Sequence, residues 1–413
     1  MDRAPRRGAT QVARPAATPG FASPTPPPIG AAPRVLILFS DTGGGHRAAA
    51  RALTDALRQL DPTCAVTVAD PLIGQGPRIT RRLAALYSPV IRRSRAAWGA
   101  VYHTSNTKAT FAALRAVFGP GVRKVVSDLL KQHDPDVVLS VHPLLNHISY
   151  QAIRRSGRSR ALMTVITDLV DFHRGWTFSQ ADLVVAPTEG ARKVALRRRV
   201  PPERVKLLGL PVDLRFRPPA PGEKRALRRR FGLDEDRFTV LVMGGGAGVG
   251  PLERQVRALA WDPYQWQVVV VAGRNEKMRR RLAETRYSTP TLVLGFVDHM
   301  PELMRACDIV VTKAGPGAIA EALATSLPLI ITGFLPGQES PNVDFVVESG
   351  IGAFAPKEEE LYDEVRVLAE GGPTWRDMSR KAAEMAHPYA SADIARECLL
   401  LAARYRASAQ ASR

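Results

Sequence analysis

No stretch of this 413-residue chain approaches the roughly 18 consecutive apolar residues that a membrane-spanning helix needs, so a spanning helix is excluded. Cysteine is scarce. Cys64, Cys307 and Cys398 are scattered and odd in number, which suggests neither a disulfide framework nor a metal site and fits a reducing, cytoplasmic setting. Aromatic residues make up only 6%, and the arginines are not interleaved with them, which argues against stacking on nucleic-acid bases. No Asp-x-Asp pair occupies a loop suited to a divalent metal, and no Gly-Lys-Ser/Thr ending completes a P-loop. No metal and no cofactor is expected. Acidic residues are outnumbered, 39 against 58 Lys and Arg, for a net charge of +19. That surplus favours an anionic partner, whether a phosphate-bearing substrate, nucleic acid or an acidic membrane face.

What is present falls into two similar halves. Residues 1–33, rich in Pro, Ala and Arg, lack any periodic apolar pattern and read as a disordered tail without the apolar core of a signal peptide. Continuous apolar runs then predict buried parallel strands at Arg34–Ser40, Asp136–Ser140, Ala161–Thr167, Asp182–Ala186 and Lys206–Val212. Residues 213–236 read as a linker, with Pro218, Pro219, Pro221 and Gly222 followed by a short basic helix. A second set of strands follows at Phe238–Met243, Gln267–Ala272, Thr291–Leu294, 308–311 and Leu327–Phe334. An Ala-rich helix near Ala392–Arg406 closes the chain. The expected fold is α/β with two doubly wound Rossmann-like domains, 34–212 and 237–390, and a C-terminal segment 391–413.

Three strand–glycine–helix turns stand out, because free N–H groups at a helix N-terminus favour an anion. Gly43, Gly44 and Gly45 follow the first strand and place His46 at a helix start. There an imidazole could take a proton from a hydroxyl or simply cap the helix. Gly245 and Gly246 lie in the equivalent loop of the second half. Ala314, Gly315, Pro316 and Gly317 form the third turn, with Glu321 about 7–8 Å further along the helix, the reach from a diphosphate to a ribose. Pro336, Gly337, Gln338, Glu339 and Asn342 end the next strand in a polar loop facing the same crevice, able to bind sugar hydroxyls. Asp168 and His142 also sit beyond strand ends. The segment Arg78–Arg95 carries six arginines beside an apolar stripe and fits either an interfacial helix or a core-packed one.

Thr312-Lys313-Ala314-Gly315-Pro316-Gly317 with Glu321, then Pro336-Gly337-Gln338-Glu339 with Asn342, resembles the donor half of monogalactosyldiacylglycerol synthases and processive diacylglycerol glucosyltransferases. It is more distantly similar to the peptidoglycan lipid-intermediate N-acetylglucosaminyltransferase. Ser40-Asp41-Thr42-Gly43-Gly44-Gly45-His46-Arg47 resembles the acceptor signature of the same family. The resemblance implies a GT-B fold and an inverting hexosyltransferase that moves galactose or glucose from a UDP-sugar substrate to diacylglycerol. It assigns the base to His46, with Asp168 second, and the acceptor site to Gly43, Gly44, Gly45 and His142. Donor contacts fall on Gly245, Gly246, Arg274, the Phe296 and Val297 backbone at the uracil, and the two later turns. At Ala247 relatives carry glutamate, so that carboxylate's task is open. The expected setting is cytoplasmic, peripheral on the inner face of the cell membrane. Transfer to another lipid acceptor and a non-catalytic basic nucleotide or nucleic-acid binder are the competing readings.

Overall fold

The computed structural model describes residues 32–41, 44–78, 95–244, 252–261 and 266–411. The tail 1–31, Gly43, Gly245, Gly246, Ala247 and most of the arginine-rich segment (79–94) lie outside the described residues.

The apolar runs form strands buried on both faces because helices cover each sheet. The first sheet holds β1 (Arg34–Leu38), β2 (Ala65–Ala69), β3 (Val137–Ser140), β4 (Ala161–Val165), β5 (Leu183–Ala186) and β6 (Val205–Leu207), in spatial order β2-β1-β3-β4-β5-β6. Every pairing is parallel, with Val35 opposite both Val66 and Val137. The second sheet holds β7 (Phe238–Met243), β8 (Trp266–Val271), β9 (Thr291–Leu294), β10 (Ile309–Thr312), β11 (Leu329–Ile331) and β12 (Gly352–Phe354), in order β12-β11-β10-β7-β8-β9. In each sheet the order reverses beside its first strand, between β1 and β3 and between β7 and β10. Loops diverge there at the carboxyl ends and open a crevice. The expected arrangement of two Rossmann-like domains is therefore the one observed.

Local departures have local causes. The run Lys206–Val212 pairs only through Leu207, because Gly209 turns at φ +90° against His387. The run Leu327–Phe334 contributes only Leu329–Ile331, since Pro328 has no N–H for the ladder. Strands β2 and β12 are short, half-exposed edges with little apolar signal. Helix Lys108–His133 was hidden by Gly119-Pro120-Gly121, yet it runs straight through Pro120.

Helix Glu223–Arg230 is fixed to the second lobe: Arg228 donates to the Ala306 carbonyl (2.8 Å) and pairs with Asp308, which also takes Lys224 (2.8 Å) and the Thr239 N–H (2.7 Å). Helix Ala390–Ala411 returns to the first sheet and buries Ile394, Cys398 and Leu401 in one core with Val35, Leu53 and Val137. Tyr405 Oη donates to Asp182 (2.6 Å). The two chain segments that pass between lobes touch: Ser391 Oγ donates to the Val212 carbonyl (2.5 Å), and a Cβ on Gly209 would lie 2.4 Å from His387 Cβ.

Candidate active site

On the first lobe, the β1 loop turns into helix Gly45–Leu60 through Gly44 at φ +87°. Among the described residues, a Cβ at Gly44 or Gly45 would meet no atom within 4 Å, so this turn faces open space there. His46, in the first turn, reaches across the switch point to Thr167 beyond β4, with Nδ1 2.9 Å from the hydroxyl. His142, carried out by β3, is buried with its ring 4.7 Å from that of His46. Burial pulls the His46 pKa down to about 4, against a hydrogen bond to the Val141 carbonyl and the nearby Asp41 charge. The imidazole is therefore neutral at neutral pH, the form a base requires.

Asp168 follows Thr167 and is 5% exposed. Its Oδ2 accepts from the Trp176 indole N–H (2.7 Å) and its Oδ1 from Gln338 Nε2 (3.3 Å). Desolvation pushes its pKa up to about 6, against those two donors. Trp176 is fully buried, and its loop is held by Asn146, which donates to the Gly175 carbonyl (3.0 Å). Gln338 belongs to the second lobe, so its contact with Asp168 bridges the crevice. That loop is seated on helix Arg95–Ser105, where a Cβ on Gly99 would lie 3.1 Å from Pro336 and one on Gly337 (φ +80°) 2.9 Å from Tyr102.

On the second lobe, β10 ends at Thr312 and helix Pro316–Ala324 starts with Gly315 as its N-cap. The Ala314 and Gly315 N–H groups are bonded to Gly333 and Lys313 carbonyls, and Pro316 has none. Gly317 and Ala318 are left as the open donors of the turn, and a Cβ on Gly317 would meet nothing. Glu321 lies one turn further along, its carboxyl pushed up to about 8 by burial first and by Asp213 second. Asn342 is buried in helix Ser340–Glu348, where Nδ2 donates to the Ala314 carbonyl (2.9 Å) and Oδ1 has no partner among the described residues. Glu339, 3% exposed, accepts the Leu335 N–H (2.8 Å) and pairs with Lys313. At the far edge the Arg274 guanidinium stacks 4.9 Å from the ring centre of the exposed Phe296, with Val297 packed on the core beside it.

The structure thus gathers His46, His142 and Asp168 on one wall and the Ala314–Gly317 turn, Glu321 and the Pro336–Asn342 segment on the other. Arg274 and Phe296 stand apart, at the β8 and β9 ends. Sequence reasoning missed Lys313 and Asp213 as contributors. Lys313 lay inside a quoted motif, whereas Asp213, just past an apolar run, gave no signal. Among the described residues no cluster of His, Cys, Asp or Glu could hold a metal ion.

Comparison with known proteins fits this geometry. A model described as monogalactosyldiacylglycerol (MGDG) synthase matches residues 46–212, and one described as glycosyltransferase family 28 C-terminal domain matches residues 239–391. A probable chloroplastic monogalactosyldiacylglycerol synthase of Glycine max is 36% identical over 86% of this chain and 69% of its own length. A probable monogalactosyldiacylglycerol synthase 2, chloroplastic, of Oryza sativa subsp. japonica is 36% identical over 89% of this chain and 80% of its own. Of solved structures, Acinetobacter baumannii MurG superposes with a TM-score of 0.59 at 16% identity, covering 89% of this chain and 99% of its own. The calicheamicin glycosyltransferase CalG4 superposes at 0.57 and 14%, covering 89% and 98%. Those two likenesses establish the GT-B fold.

One expectation is corrected. The plant relatives are named chloroplastic, which overturns the assignment to the cytoplasmic inner face of the cell membrane drawn from cysteine scarcity and charge. Scarce cysteine and a surplus of positive charge do not specify a compartment or a membrane. Among the described residues no helix is long and apolar enough to cross one. The matches over both lobes and the identities above 30% establish that this chain belongs to the monogalactosyldiacylglycerol synthase family of glycosyltransferases.

Proposed function

We propose that the enzyme transfers galactose or glucose, with inversion, from a UDP-sugar to the free hydroxyl of diacylglycerol. The observation that carries the reading is the pairing across the crevice: a polar loop next to a helix N-terminus and a ribose-distance carboxyl touches Asp168, beside His46, on the opposite wall. The Gly317 and Ala318 N–H groups and the helix dipole face the diphosphate, and Glu321 takes the ribose hydroxyls. Phe296 and Val297 border the base, with Arg274 over Phe296. Gln338, Glu339 and Asn342 serve the hexose.

His46 is the base favoured by geometry. Both Asp168 oxygens are already accepting hydrogen bonds in a buried setting, whereas His46 is partly exposed at the crevice mouth and neutral. An acceptor hydroxyl that replaces the Thr167 hydroxyl at Nδ1 would hand its proton to the ring as its oxygen attacks the anomeric carbon. The anomeric C–O bond breaks and its electron pair leaves with the diphosphate. Asp168 holds Trp176, whose ring lies 6.1 Å from that of His46, and so fixes the wall beside the base.

The bilayer face is proposed at helix Lys108–His133, whose first half exposes Ala112, Ala113 and Val117 (66% exposed) between Lys108 and Lys124. The test is to incubate the pure protein with diacylglycerol liposomes and each labelled sugar nucleotide. A new monoglycosyl lipid is expected with UDP-galactose or UDP-glucose, and no product with any donor overturns the proposal.

A further inference from the structure

We propose that Lys313 is a catalytic cation for the departing diphosphate, held in reserve by Glu339 until a donor sugar displaces it. This rests on the sugar-nucleotide reading above and adds a residue to it.

The backbone at this turn is a sparse anion site. Of the first N–H groups, those of Ala314 and Gly315 already donate to carbonyls at 2.8 and 2.7 Å, Pro316 has none, and two remain. Two neutral donors and a nine-residue helix, with about half a unit of positive charge at its N-terminus, must balance a diphosphate that gains charge as the glycosidic bond breaks. Lys313 stands over this turn. A Cβ on Gly315 would lie 3.4 Å from Lys313 Nζ and 3.8 Å from Glu339 Oε1, so the ion pair hangs directly above the helix start. The partners are unequal. The Glu339 side chain is 4% exposed and its other oxygen is fixed by the Leu335 N–H, whereas the Lys313 side chain is 44% exposed and free to swing.

The exchange follows from that asymmetry. The diphosphate competes with Glu339 for the exposed ammonium, hexose hydroxyls donating to Glu339 weaken its hold further, and Lys313 Nζ moves onto the β-phosphate. When the anomeric C–O bond breaks, its electron pair stays on the phosphate oxygen that Lys313 faces. The acceptor oxygen forms the new bond and its proton leaves to the base. A charge-assisted hydrogen bond to a growing anion is stronger than one between neutral groups.

The two partners are then expected to shift UDP affinity in opposite directions. Titration calorimetry with UDP should give a Kd about tenfold or more higher for Lys313→Met, and several-fold lower for Glu339→Gln, which releases the ammonium. Uridine, which has no phosphate, should bind all forms alike. With the UDP-sugar, both variants should lose kcat, and Lys313→Arg should recover part of it. Lys313→Met leaves the buried Glu339 carboxylate without its counter-charge, so a thermal melt beside the titration establishes that the variant is folded before its affinity is read. If wild-type protein binds UDP but both variants weaken it, the pair is a structural brace and this inference alone fails. If Lys313→Met leaves UDP affinity unchanged, it fails likewise. Wild-type protein that does not bind UDP overturns both this inference and the proposed reaction.

Discussion

Two carboxyls, Glu321 half-buried and Asp168 buried, make the site sensitive to pH in ways that can be signed. Glu321, with a pKa of about 8 in the free protein and an ordinary carboxylate value when unfolded, is mostly protonated at pH 7. It therefore costs stability progressively as pH rises through that window, the folded state binding the extra proton. Ribose hydroxyls donating to it would favour the charged form. UDP binding at pH 7 is expected to release close to one proton, read from calorimetric enthalpies in buffers of different ionisation heat, and Glu321→Gln should abolish the release. Asp168, raised to about 6, behaves similarly: its penalty is absent near pH 4 and complete above pH 6. Asp168→Asn is expected to stabilise the fold at pH 7 by on the order of 2–3 kcal/mol and hardly at all at pH 4, while lowering turnover. Melting curves of both proteins at the two pH values check the sign. Equal stabilisation at both would show that the carboxylate is not desolvated as described.

At the scale of elements, the loop carrying Gln338 depends on one glycine. Gly337 holds φ +80° with Tyr102 and His103 of helix Arg95–Ser105 pressed against the position of a Cβ. Gly337→Ala is expected to lift the loop, part Gln338 from Asp168 and cut kcat/KM at least tenfold, with a stability loss of about 1–3 kcal/mol. Steady-state kinetics beside a thermal melt would separate the two effects, and unchanged kinetics would mean that the loop does not need its seat. The glycine turns and the strands feeding them were legible because uninterrupted apolar runs and turn residues are local signals. The partners of those turns were not. That Asn342 hangs on the Ala314 carbonyl, that Trp176 holds Asp168 and that Asp213 bears on Glu321 depends on tertiary proximity. Pro120 shows the opposite failure, a local breaker overridden by packing, since Gly121 sits so close to Pro77 that a Cβ would lie 2.7 Å from its ring.

For the whole molecule, the last helix belongs to the first lobe's core although it follows the second lobe in sequence. Ending the chain at Tyr389 uncovers the face that Ile394, Cys398 and Leu401 bury against the first sheet. At roughly 1.5–3 kcal/mol for each large apolar side chain, that loss rivals the total stability of an ordinary domain. The shortened protein is expected to lose near-ultraviolet circular dichroism from the first lobe or to aggregate, and a soluble product with a wild-type melting temperature would refute that assignment. The place where the two passing segments are stitched together, Gly209 on His387 and Ser391 on Val212, has a mechanical consequence. The Pro336–Gln338 loop bridges the lobes a second time, at Gly99, Tyr102 and Asp168. Widening the crevice for a bulky lipid therefore means parting that loop from its seat while the stitched segments act as the pivot.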